Sequence, residues 1–87
     1  MKPDERKHLG KVAALGCIIC GNDAEIHHIR TGMGLGQRNN HFNVIPLCHS
    51  HHRTSGFGIA LHAGQKTWEA NFCTETELLT RVKGYLK

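Results

Sequence analysis

Two pairs of metal-ligating residues share one spacing, Cys17-x-x-Cys20 and Cys48-x-x-His51. A two-residue gap lets backbone N–H groups fold around a ligating sulfur while both side chains reach the same ion. Together the pairs close a four-coordinate structural zinc site. The second pair lies within Asn43-Val-Ile-Pro-Leu-Cys-His-Ser-His-His-Arg53, which carries a further histidine, His52, that the knuckle does not need. A second surplus of imidazole stands at His27 and His28, between Ile26 and Ile29. Imidazole ligates divalent metals and exchanges protons near neutral pH, so a second site is expected to start beside the knuckle.

The chain around these residues is short. Its 87 residues give room for one domain, 1–87. A chain of this size buries so little surface that a metal is a natural supplement to its core. Four cysteines could instead make two disulfides, but the charged stretch Met1 to Gly10 lacks the apolar run of a secretory signal, which favours the reducing cytoplasm. The longest apolar run, Val12 to Cys20, falls well short of the roughly 20 residues that span a bilayer, so no membrane segment is expected. Eleven Lys and Arg against seven Asp and Glu leave a net charge of +4, a balance that favours a polyanionic partner.

Several elements must position the ligands. Pro3, Asp4 and Glu5 open a helix that runs to about Leu15, with Leu9, Val12, Ala13 and Leu15 on its apolar side and Gly16 as its stop. Ala24 to Arg30 reads as a strand. Adjacent strand residues point to opposite faces, so His27 and His28 reach one site only at a local distortion. Thr31 to His41 is a loop whose glycine spacing is superficially like a phosphate cradle but lacks the strand, helix and lysine around it. Its Gln37, Arg38, Asn39 and Asn40 are suited to phosphates or base edges, and Arg30, Gln37, Arg38, Asn39 and Lys66 make up the candidate DNA-binding set.

Val44, Ile45 and Leu47 form a second strand with Pro46 at its end, and His49 to about Ser55 a helix, giving a ββα unit. Ser55-Gly-Phe-Gly breaks that helix, and Ile59, Ala60 and Leu61 return to the core. Gln65 to Phe72 is a helix with Trp68 and Phe72 on one side. Thr74 to Glu77 is a capping box that starts a last helix with Leu78, Leu79, Val82 and Leu86 as its stripe.

The order His27-His28, Asn43, His52 around a zinc knuckle resembles the ββα-metal (HNH, His-Me finger) endonucleases. The resemblance implies that His27 and His52 hold a catalytic divalent cation (Mg²⁺, Mn²⁺ or Zn²⁺), that His28 is the general base, and that Asn43 orients it. Some relatives place a ligand where Gly56 stands here. His62 is therefore open to two readings, a third ligand or a hydrogen-bonded structural residue. Phosphodiester hydrolysis needs a base active near neutral pH and positive charge at the phosphorus, which an imidazole and a cation provide. Arg53 could clamp the scissile phosphate bidentately.

A closer resemblance is carried by Glu25 to Arg38, Val44 to Cys48 and Leu61 to Glu69, above all the glycine-arginine loop and His62-Ala-Gly-Gln-Lys-Thr-Trp68. From about Lys7 to Lys87 the chain is similar to the C-terminal nuclease domain of the phage recombination enhancement function family, the RecA-dependent HNH nucleases. This implies a phage- or prophage-encoded protein of the bacterial cytoplasm. It would nick or cut DNA in recombination, with a RecA filament as a candidate partner; apart from the resemblance, a monomer is expected. The alternative is a zinc module that binds DNA or protein without cutting. Among the other residues, His8, His41 and His49 read as surface positions and Cys73 as a small buried hydrophobe.

Overall fold

A computed structural model of the chain describes residues 2–34 and 39–86. The expected DNA contacts Gln37 and Arg38 lie outside the described residues. The chain forms α1 (Pro3–Ala14), β1 (Glu25–His28), β2 (Val44–Leu47), a single π-helical turn (Ser50–Thr54), a 3₁₀ turn (Leu61–Ala63), α2 (Gln65–Asn71) and α3 (Glu75–Tyr85). The class is α+β, with helices around a two-stranded antiparallel sheet. No helix among the described residues is long and apolar enough to cross a membrane.

Each element follows from local signals. At the start of α1 the Glu5 carboxylate accepts from the Lys2 N–H at 2.9 Å, meeting one of the donors a helix start leaves unpaired. Leu15, expected on the buried side, is 39 % exposed because it falls just past the helix, where the chain turns at Gly16. Gly16 has φ +79°, and a Cβ there would sit 2.9 Å from the Gly21 carbonyl oxygen. The turn brings Cys17 N–H to Asn22 O (2.7 Å) and Gly21 N–H to Cys17 O (2.8 Å), folding the first knuckle back on itself.

β1 pairs with β2 in the register Glu25↔Leu47, Ile26↔Pro46, His27↔Ile45, His28↔Val44. Pro46 stands within β2 rather than at its end. Its carbonyl accepts from Ile18 N–H at 3.0 Å, on the edge away from β1, and its missing N–H falls on that same outer edge where no ladder partner is lost. All four residues of β2 are buried, so this strand carries the core while β1 presents a mixed face.

The core is Val12, Ile29, Val44, Ile45, Leu47, Leu61, Trp68, Leu78, Leu79 and Val82, together with Cys17 and Cys48. Trp68 is fully buried with Phe72 against it, ring centroids 5.2 Å apart. Two expectations fail at the rim. Ile59 is 49 % exposed, because after the break at Ser55 to Gly58 only Ala60 and Leu61 turn inward. The segment expected as an α-helix from His49 is instead one π turn, closed by Ser55 N–H to Ser50 O, too short to propagate an α ladder. Thr74 caps α3 by accepting from Glu77 N–H at 3.2 Å, while Glu77 Oε2 is engaged by the Cys73 thiol. Cys73 is accordingly half-buried and hydrogen-bonded, not a buried hydrophobe.

Two glycines should respond oppositely to alanine. Gly16→Ala forces a Cβ into a left-handed residue against a carbonyl and is expected to destabilise by about 1–3 kcal/mol. Gly10→Ala, inside α1 with open space around it, should stabilise by about 0.5–1 kcal/mol. Urea unfolding followed by Trp68 fluorescence measures both, and equal signs would contradict the assigned backbone.

Candidate metal centres

The knuckle residues converge from two ends of the core. Cys17 and Cys20 follow α1, and Cys48 and His51 follow β2. Their four ligand atoms all lie within 4.8 Å of one another. Cys20 Sγ is 3.6 Å from Cys48 Sγ, Cys17 Sγ 3.9 Å from His51 Nδ1, and Cys48 Sγ 3.2 Å from His51 Nδ1. A tetrahedron with metal–sulfur bonds of ~2.3 Å has edges of ~3.8 Å, so the set has the size of a zinc site, and its sulfurs are far beyond disulfide length. Burial alone would raise the Cys17 thiol, but backbone hydrogen bonds at Cys48, Cys20 and Ile19 outweigh it and hold its pKa below the ordinary value. That favours the thiolate that ligation requires. The cluster can hold a metal ion such as zinc.

A second cluster joins His27 of β1, His52 of the π turn and His62 of the 3₁₀ turn. His52 Nε2 is 3.1 Å from His27 Nδ1 and 2.9 Å from His62 Nε2. Zinc–nitrogen bonds of ~2.0–2.1 Å give tetrahedral edges of roughly 3.3 Å, and three imidazoles leave a coordination position open. Burial, opposed by a bond to Glu25, lowers the pKa of His52. Burial and the neighbouring His52 and His27 lower that of His62. Neutral rings with available lone pairs are what a cation needs. Of the two readings of His62, this geometry favours the ligand.

Two carboxylates stand behind this cluster, and neither was singled out from the sequence. Glu25 Oε1 lies 3.1 Å from His52 Nδ1, and its pKa falls to about 2, chiefly through the side-chain bond from Arg53 and then that from His52. Glu75 is fully buried. Its Oε2 contacts His27 Nε2, and its Oε1 accepts from the N–H groups of Arg30 and Thr31, the Thr31 hydroxyl and the Gln65 amide. Burial would raise this carboxyl, but the donors dominate and hold it at about 2. The only hint in the sequence is that both acids fall near the candidate elements; their partners are distant in the chain.

The remaining assigned residues have other neighbours than expected. His27 and His28 follow the regular alternation of β1 without a distortion. His27 is buried toward His52 and Glu75, whereas His28 Nε2 lies 3.0 Å from His41 Nδ1. His41 is thus half-buried beside His28, not a plain surface residue. His8 likewise packs on Phe42, with centroids 5.0 Å apart, while His49 is exposed and bonded to Thr54.

Asn43 donates to Asn39 Oδ1 at 2.9 Å and accepts from Lys83 at 3.4 Å, bonds that brace the loop. Asn39, expected at DNA, spends its oxygen on Asn43 and the Asn40 N–H, and its amide reaches Ile29 O. Arg53, expected to clamp the scissile phosphate, is held by both oxygens of Glu25 through Nε (3.0 Å) and Nη2 (2.5 Å). Arg30 and Lys66 are exposed.

Residues 2–85 match the model of a family described as a protein of unknown function, DUF968. The chain belongs to that family. No curated protein matches it. The DUF968 match spans both clusters, so the ligand sets of Cys17, Cys20, Cys48 and His51 and of His27, His52 and His62 lie inside the family's own domain.

The two sets should separate by softness and by consequence. A thiolate-rich set holds zinc more tightly than an all-imidazole one, so about one zinc per chain should survive mild EDTA treatment. Cys20→Ser should lose that zinc and much of the far-ultraviolet circular dichroism, whereas His52→Ala should stay folded and lose only the exchangeable ion. Equally native spectra from both variants would contradict the division.

Proposed function

We propose that this protein is a metal-dependent DNA endonuclease of the ββα-metal (HNH) type, stapled by one zinc. The observation that carries the reading is the convergence of three imidazoles, with His27 and His52 backed by carboxylates. A zinc-stabilised scaffold alone has no use for that second set. The order β1, β2, helical turn, with a Cys/His pair leading into the turn, also fits such a scaffold.

In this reading His27, His52 and His62 hold a divalent cation. When bound, it supplies the positive charge that a phosphodiester needs as its bridging P–O bond breaks. The sequence resemblance gives His28 the proton of the attacking water as the new P–O bond forms; because β1 alternates regularly, its ring leaves the strand on the face opposite His27 and lies against His41, so this role requires the end of β1 to turn His28 toward the cation. Glu25 holds His52, and Arg53 acts through Glu25 instead of gripping phosphate. Exposed Arg30 and Lys66, within a chain of net charge +4, are available to the DNA backbone. A place in phage recombination, with a RecA filament as partner, rests on the sequence resemblance alone.

A non-cutting zinc module is favoured by one observation: Asn43 and Arg53, assigned to catalysis, are spent on structural bonds. Single-turnover nicking of supercoiled plasmid with Mg²⁺, Mn²⁺ or Zn²⁺ separates the two. His28→Ala is expected to cut about 10²- to 10⁴-fold more slowly with unchanged affinity for a short duplex. Lys66→Ala should weaken binding and lower the salt slope by about 1 without slowing the chemical step at saturating DNA. A His28→Ala protein that cuts at the unmutated rate would leave the non-cutting module as the better account.

A further inference from the structure

His27 presents a specific problem. Its ligand atom would be Nδ1, since that nitrogen faces His52 Nε2 at 3.1 Å, yet His52 and His62 turn their Nε2 atoms to the same point. A neutral imidazole has one proton, and only the other nitrogen offers a lone pair; which is which depends on the partner of the protonated one. Nδ1 of His27 can ligate only if the proton sits on Nε2. The group facing Nε2 is Glu75 Oε2, reached from 48 residues away in the chain.

We propose that Glu75 is the positioning residue that fixes His27 in the Nε2–H form and so makes its Nδ1 a ligand for a divalent cation shared with His52 and His62. The proposal rests on the metal-site part of the reading above. An ionised carboxylate only accepts, so it admits a donor at His27 Nε2 and nothing else. Its other oxygen cannot compensate for a change, because four donors from Arg30, Thr31 and Gln65 already converge there. Four N–H and O–H donors on one oxygen are the surroundings an ionised carboxylate needs in the interior. At His52 the arrangement is mirrored: Glu25 takes Nδ1 and leaves Nε2 to the cluster. The two acids thus select opposite nitrogens, as the positions of the rings demand.

Glu75→Gln keeps size and the oxygen that serves the four donors, but puts an NH₂ group against His27 Nε2. Rotating the amide would instead set NH₂ against the Arg30 and Thr31 N–H groups, so His27 has to give way. Its Nε2 then accepts, its proton moves to Nδ1, and the ligand lone pair is lost. Imidazole ¹⁵N NMR on protein carrying the knuckle zinc alone should show His27 protonated at Nε2 in the unmodified chain and at Nδ1 in Glu75→Gln. Zn²⁺ affinity at the second site should fall about 10- to 100-fold. Thr31→Val removes a donor to Oε1 without touching Oε2 and should leave both readouts unchanged.

A His27 protonated at Nδ1 in the unmodified protein would overturn the proposal, and that measurement holds even if Glu75→Gln fails to fold. An equal loss of affinity in Thr31→Val, an undiminished affinity in Glu75→Gln, or no second Zn²⁺ bound by the unmodified protein would overturn it as well. A protein that binds the second ion in a Glu75-dependent way but leaves plasmid intact would remove the nuclease reading and keep this one. An active nuclease whose Glu75→Gln variant binds Zn²⁺ undiminished would do the reverse.

Discussion

A fully buried carboxylate has to be met by donors, and Glu75 meets that constraint by drawing three parts of the chain onto one side group. It takes His27 from β1, the Arg30 and Thr31 backbone from the start of the following loop, and Gln65 from the first turn of α2. Its own backbone N–H is bonded to Glu69, which ties α3 back to α2. Removing the carboxylate would strand these donors in the interior, a loss on the order of 3–5 kcal/mol, in a domain with little core to spare. The placement of α3, of the loop base and of one imidazole of the second cluster therefore depends on a single anion.

The π turn after β2 is the second organising device. Cys48 and His51 serve the knuckle while the next residue, His52, serves the imidazole cluster. The turn stays anchored by His52 N–H to Cys48 O at 2.9 Å, so the two centres are connected through a few covalent bonds of one short segment. Disturbing the knuckle must disturb the second cluster, whereas truncating His52 or His62 leaves the knuckle ligands in place. Glu25 and Arg53 add an outer layer, fixing the far side of His52 at the surface.

How much of this could be read from the sequence depends on the range of the interaction. The knuckle was legible because two-residue spacings are local and the residue types admit few other roles. Pro3, Gly16, Thr74 and the Leu78, Leu79, Val82 stripe were legible for the same reason: caps, stops and helical periodicity act within one or two turns. Pro46 inside a strand was not, since only the outer edge position of β2, set by Ile18 across the chain, makes it harmless. Glu75 reads as an ordinary first-turn acid of α3 because its partners His27, Arg30 and Thr31 lie 44 to 48 residues away. Asn43 and Arg53 have partners that the sequence hides for a related reason. Their side-chain chemistry suits catalysis, but Asn39, Lys83 and Glu25 are within reach and satisfy them first.

The central claim is that one small domain carries two metal centres of different chemistry, one of sulfur and nitrogen and one of imidazole only. Anomalous diffraction at the zinc edge, from crystals grown with Zn²⁺, tests it most directly. The account predicts one peak enclosed by Cys17, Cys20, Cys48 and His51 and a second bounded by His27 Nδ1, His52 Nε2 and His62 Nε2. A map with the knuckle peak alone, or with a second zinc bound away from these three imidazoles, would contradict it.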